Sequence, residues 1–175
     1  AYDPQHDALW IGSNDGIFLY NLKTRTLHDP INNNRLVRGC IGALICHDGQ
    51  LWMGSLAGLC IIDLRSGPGP DGKYKSRRLR QKLDQPQSPV VDKISCFCET
   101  KDGTLWIGSS SYGLYRRVVD EQGKEHFEAL TTDDGLVNNA VKGIVEDVQG
   151  RLWITTNNGL SIYDPRTRTF KNFGE

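Results

Sequence analysis

A Leu-Trp pair followed by a glycine-centred hairpin recurs four times along the chain, and no other feature restricts the fold as much. The copies are Leu9-Trp10-Ile11-Gly12, Leu51-Trp52-Met53-Gly54, Leu105-Trp106-Ile107-Gly108 and Leu152-Trp153-Ile154-Thr155. A short polar link leads from each to Gly16-Ile17, Gly58-Leu59, Gly113-Leu114 and Gly159-Leu160. Turns ending in glycine precede the last three: His47-Asp48-Gly49, Lys101-Asp102-Gly103 and Val148-Gln149-Gly150. Trp-to-Trp spacings of 42, 54 and 47 residues suit a four-stranded propeller blade. β-Branched and aromatic runs broken by glycine exclude helical repeats. The fold class is therefore all-β, with about four four-stranded antiparallel β-propeller blades forming a fragment or open arc of a larger propeller.

The fourth repeat is the simplest to divide. Residues 140–147 predict its first strand, 151–155 the second, 160–164 the third and 169–173 the fourth. Gly150 stands where the first hairpin needs positive φ, and Thr156-Asn157-Asn158-Gly159 tolerates left-handed geometry in the second. Asp164-Pro165 turns the chain into an outer strand, where proline is acceptable. Blade boundaries fall near 1–30, 31–82, 83–132 and 133–175. Ahead of Trp10 there is no run equivalent to residues 141–147, so the expectation is three whole blades plus three strands of a fourth. An insertion over residues 66–89, rich in glycine and proline, accounts for the spacing of 54. The expectation is an open arc, or a ring completed by another copy of the chain or by remaining propeller blades.

Charge and composition remove several functions. Twenty-one Lys+Arg balance 21 Asp+Glu, so no global field draws the chain to nucleic acid or to a membrane surface. No apolar run approaches the roughly 20 residues needed to cross a bilayer. Five cysteines (Cys40, Cys46, Cys60, Cys96 and Cys98) contain no C-x-x-C pair, which argues against a zinc ribbon or a redox motif. They read as small buried apolar residues.

The pattern Glu146-Asp147-x-x-Gly150-x-Leu152-Trp153-Ile154-Thr155-x-x-x-Gly159-Leu160, with Asp164-Pro165 and Phe170 beyond it, resembles the two-component regulator propeller repeat. Asp134-Gly135-Leu136-x-x-Asn139-x-Val141 is similar to the connector between such repeats. The resemblance implies a segment of the periplasmic sensor region of a hybrid histidine-kinase regulator, a family commonly tied to the use of complex glycans. Two local departures stand out: Cys46 replaces the glutamate found at Glu99 and Glu146, and the third repeat has an extra residue at Tyr112.

Chemistry is sparse. A Trp at one strand position in every repeat is expected to fill space between blades rather than to stack on sugars. The run from Thr100 to Trp106 is similar to the Asp box of sialidase propellers, but Asp102 and Gly103 are adjacent here, which fits a plain hairpin. The four histidines lie in different repeats and turns, so neither a metal site nor a cofactor is expected. Asp133-Asp134 sits in a connector and suits turn geometry better than acid–base work. No G-x-S-x-G motif or phosphate-cradling loop is present, and catalysis is not expected. Six cations between Lys73 and Lys82 align with the outer strand of the second blade, where charge protects an edge; an acidic glycan or anionic partner is the sharper alternative.

Recognition on a propeller usually resides in the connectors that enter each first strand and in the hairpins between second and third strands. Those loops hold Asn14, Asp15, Arg35, Arg38, Asp92, Ser110, Tyr112, Asn138, Asn139, Asn157 and Asn158, with Tyr112 the one inserted aromatic. The expected function is a non-catalytic sensor for an oligosaccharide in the periplasm, as part of an inner-membrane-anchored protein. The rivals are a propeller that mediates dimerisation and, third, a propeller lyase or hydrolase.

Overall fold

Apolar residues at every second position around each Leu-Trp pair demand strands with two distinct faces, and the computed structural model shows them. It describes residues 1–14, 16–29, 41–55, 58–71, 74–79 and 93–174, which form four separate four-stranded antiparallel sheets. The first contains β1 (Tyr2–Asp3), β2 (Ala8–Gly12), β3 (Ile17–Asn21) and β4 (Thr26–His28). The second contains β5 (Ile41–His47), β6 (Gln50–Ser55), β7 (Gly58–Asp63) and β8 (Ser76–Leu79). The third runs β9 (Ile94–Glu99), β10 (Leu105–Ser109), β11 (Leu114–Val119) and β12 (Glu125–Leu130). The fourth runs β13 (Val141–Glu146), β14 (Leu152–Thr156), β15 (Gly159–Asp164) and β16 (Thr169–Phe173). Each sheet is a simple meander, the blade of a β-propeller. The chain divides into two compact units, Ala1–Leu79 and Arg80–Glu175. Among the described residues, no helix is long and apolar enough to cross a membrane.

The first sheet corrects the expected strand count. Its opening strand exists: Tyr2 pairs with Leu9 and Asp3 with Ala8, and the Trp10 amide donates to Ala1 O at 2.8 Å. Asp3 then turns the chain, its carboxylate accepting the Gln5 amide at 3.0 Å and the Trp10 indole N–H at 3.3 Å. Pro4 comes next, with no N–H to extend the ladder. A strand that ends after two residues carries too little alternation to be recognised from sequence.

In the first unit, Trp10 and Ile17 of the first sheet pack on Leu51, Met53, Cys60 and Ile62 of the second. In the second unit, Trp106 and Leu114 of the third sheet pack on Val141, Leu152, Ile154 and Tyr163 of the fourth. The Trp106 and Tyr163 rings meet edge to face with centroids 5.8 Å apart. The rule is the same in both: a blade's Trp face meets the Leu/Ile face of the next blade. Trp10, Trp52 and Trp106 are no more than 2% exposed, as mortar between blades requires. Trp153 departs from that expectation at 39% exposed, because no described sheet lies over its face.

Hydrogen bonds tie the third and fourth sheets along their first strands. Ser95 Oγ donates to Val141 O at 2.7 Å, and the Lys101 amide donates to Glu146 Oε2 at 2.9 Å. Gly108 explains the last residue of the Leu-Trp-Ile-Gly motif: a Cβ there would come within 2.7 Å of Val141 Cγ1 and would also overlap Cys96 Sγ.

The four described cysteines are free thiols. Cys60 is buried, and Cys46, Cys96 and Cys98 are partly buried against the two cores. Burial pushes the Cys46 and Cys96 thiols up to about 11, so both stay protonated at neutral pH. Cys40 lies outside the described residues.

Candidate functional site

The connector between β12 and β13 is built by its own polar side chains. Thr131 caps a single 3-10 turn over Thr132–Asp134, with the Asp134 carboxylate accepting the Thr131 amide at 2.8 Å. Gly135, at φ 107°, ends the turn in left-handed geometry, and buried Leu136 anchors the chain on its way to β13. Asp133 and Asp134 thus belong to a turn, the reading their position favoured. Asn138 Oδ1 accepts the Ala140 amide at 2.8 Å, and Asn139 Oδ1 accepts the Thr132 amide at 2.9 Å.

This connector is gripped from both sides. The Gly113 amide donates to Asn139 O at 2.8 Å, and the Asn157 amide donates to Ala140 O at 3.0 Å. The first bond comes from the β10–β11 hairpin, whose Ser109 Oγ accepts the amides of Ser111 and Tyr112 at 3.2 and 3.0 Å. The second comes from the β14–β15 hairpin, where Thr156 Oγ1 accepts the Asn158 amide at 3.1 Å. Six expected residues (Ser110, Tyr112, Asn138, Asn139, Asn157 and Asn158) therefore gather at one end of the two sheets in the second unit. Tyr112, Asn157 and Asn158 are exposed there. The side-chain oxygens of Asn138 and Asn139 are occupied with turn geometry. Asn14 lies in the other unit, in a hairpin closed by the Ser13 amide on Gly16 O at 2.8 Å. Asp15, Arg35, Arg38 and Asp92 lie outside the described residues.

Two clefts of this unit are lined by other residues. A cleft of about 400 Å³ opens between the third and fourth sheets at the opposite strand ends, beside Thr100, Asp102, Trp106, Arg116, Glu146 and Arg166. A second, of about 320 Å³, shares Trp106 and Arg116 and is walled by Glu128, Asp134, Tyr163 and Arg168. None of the loop candidates lines either one. The sequence carried a signal for them: Arg116 interrupts an apolar strand at the position facing Trp106, where the fourth sheet has Ile162. Among the described residues, no group of three or more His, Cys, Asp or Glu could hold a metal ion.

Three turn carboxylates, Asp102, Asp147 and Asp164, are held below their ordinary range, Asp164 by hydrogen bonds from Arg166. Hydrogen bonds from Thr100 and Thr104 do this for Asp102. The Trp153 indole N–H, at 3.0 Å, does it for Asp147, with further help from Arg151 at 2.7 Å. A depressed carboxylate stabilises the fold above its ordinary value of 3.8, and that contribution is lost as the pH falls below it. Acid unfolding followed by circular dichroism should therefore show Asp147→Asn losing less stability than wild type between pH 5 and pH 2, a window set by the ordinary carboxylate range. Parallel curves would remove Asp147 from the acid transition.

Sheets of this kind, meandering and stacked Trp face to Leu/Ile face, define an array of β-propeller blades. Residues 89–111 and 135–158 match the family described as two component regulator propeller. The two matched stretches fall on the third and fourth sheets. It is similar to the extracellular domain of the hybrid two component system BT4673 from Bacteroides thetaiotaomicron at 23% identity, covering 98% of this chain and 20% of that one, with a TM-score of 0.72. A second such domain from that organism, BT3049, is 21% identical, with 99% and 22% covered and a TM-score of 0.77. The chain thus spans about a fifth of the length of these two structures. Virginiamycin B lyase from Staphylococcus aureus shares the fold at 16% identity, with 83% and 43% covered and a TM-score of 0.50. No curated protein matches the chain.

Proposed function

We propose that this chain is a non-catalytic segment of an extracytoplasmic sensor propeller in a two-component regulatory system, and that its ligand is an oligosaccharide. The observation that carries the reading is the clamped connector. A ligand on the exposed Tyr112, Asn157 and Asn158 would touch two hairpins that share one hydrogen-bonded segment. An aromatic ring beside amide side chains suits sugar rings, which offer an apolar face and a rim of hydroxyls. The match to two component regulator propeller repeats supports the signalling role. Binding would be passed on as a shift in blade packing, outside the cytoplasm, as in the extracellular domains with similar folds.

Calorimetry with a panel of neutral and acidic oligosaccharides tests this. At least one glycan should bind, and Tyr112→Ala should weaken it about tenfold, or 1.4 kcal/mol. Silence across the panel, or unchanged affinity in the variant, would overturn the proposal.

A further inference from the structure

We infer that the larger cleft beside Arg116, between the third and fourth sheets, is a binding site for a small hydroxylated monocarboxylate, with the Arg116 guanidinium as its anion-binding group. The repeat makes this arginine conspicuous. In register, the residue facing the motif tryptophan is Leu19 in the first sheet, Ile61 in the second and Ile162 in the fourth, but Arg116 in the third. Directly opposed residues share a sheet face, so Arg116 lies on the Trp106 face, which packs on the fourth sheet. An apolar slot of the repeat is thus given to a cation.

That cation is weakly partnered. Arg117, Arg151 and Arg166 each donate Nε to a carboxylate, at 2.7, 2.8 and 3.1 Å. Arg116 Nε is buried without a hydrogen-bond partner among the described residues. The Arg116 ion pair, Nη1 to Glu128 Oε2, is 3.7 Å long, too far for a hydrogen bond. The side chain lines both clefts, of about 400 and 320 Å³. A guanidinium placed in a cleft wall with so little engaged is matched by the two oxygens of a carboxylate.

The larger cleft narrows the chemistry of the ligand. Asp102 and Glu146 line it as well, and their charges oppose a second negative charge on anything bound there. Turn amides hold both in place: Asp102 Oδ1 accepts from Thr104 at 3.0 Å, and Glu146 Oε2 from Lys101 at 2.9 Å. A carboxylate bound through one oxygen can still accept a hydroxyl proton with the other. One carboxylate for Arg116 and hydroxyls for Asp102 and Glu146 describe a hydroxy acid. The volume suits a small molecule.

Heteronuclear NMR titration of the chain tests this, with gluconate as the probe, sorbitol as its uncharged counterpart and sulfate as a dianion. Gluconate should move the Arg116 Nε–H signal and bind at least about tenfold more tightly than sorbitol or sulfate. Arg116→Ile copies the residue that the fourth sheet carries at this position, and it should abolish gluconate binding. Tyr112→Ala should bind gluconate as wild type does, since Tyr112 belongs to neither cleft. The site therefore stands or falls apart from the oligosaccharide reading. No response to gluconate, equal affinity for sorbitol or sulfate, or an Arg116→Ile chain that binds as wild type does would each overturn the inference. Should Arg116→Ile lose its circular dichroism spectrum, the Arg116 signal of the wild type decides alone, and an unmoved signal overturns the site.

Discussion

Trp106→Ala is expected to lower the unfolding free energy by about 3–5 kcal/mol, the cost of emptying a large aromatic site in a packed core. Trp106 is 2% exposed and packs on Leu152, Ile154 and Tyr163 across the boundary between the third and fourth sheets. Neighbouring strands cannot collapse into the void, because hydrogen bonds at Ser95 and Lys101 fix the spacing of the sheets. Trp153→Ala, at the same repeat position, should cost only about 1 kcal/mol, mainly its indole hydrogen bond to Asp147. Urea unfolding followed by circular dichroism measures both. Equal losses would refute the account of the repeat tryptophan as filler between blades.

Gly159→Ala should destabilise the chain by about 3 kcal/mol, through left-handed strain and a collision that cannot relax. Gly159 sits at φ 106°, and a Cβ there would fall on the backbone carbonyl oxygen of Phe173. Gly103 separates the two causes. It has φ 81°, yet nothing lies within 4 Å of where its Cβ would be. Gly103→Ala should therefore cost only about 1 kcal/mol from conformation alone. Thermal unfolding of the pair gives the comparison, and a Gly103→Ala loss as large as that of Gly159→Ala would dismiss the collision.

Most of the fold was legible because the repeat states it four times. The four strands predicted for the last blade lie within two residues of β13, β14, β15 and β16. Turn glycines carried this accuracy, since Gly150 and Gly159 have the positive φ their places demand. The opening strand of the first blade was missed because Asp3 and Pro4 end it before alternation can show. The greater exposure of Trp153 has a different origin: a repeat pattern describes the residue's own strand and not the neighbour that covers it. The hairpins and connector of the candidate site could be located in the sequence, whereas the use of Asn138 and Asn139 could not. Asparagine serves a turn or a ligand equally well, and only hydrogen-bond geometry separates the two. The Arg116 clefts are formed by two sheets together and so have no local signature beyond one misplaced cation.

The hydrogen bonds at Ser95 and Lys101 have a mechanical consequence. They pin the third and fourth sheets along β9 and β13, while the smaller of the two clefts leaves space towards β11, β12 and β16. Two plates fastened along one margin and parted at the other open like a fan. A rotation about the pinned margin would widen or narrow that cleft and leave the pin in place. Sliding one sheet past the other would break those bonds and is the stiff direction. The clamped connector joins both hairpins at one end of the plates, so anything that draws those hairpins together acts as a lever on that rotation.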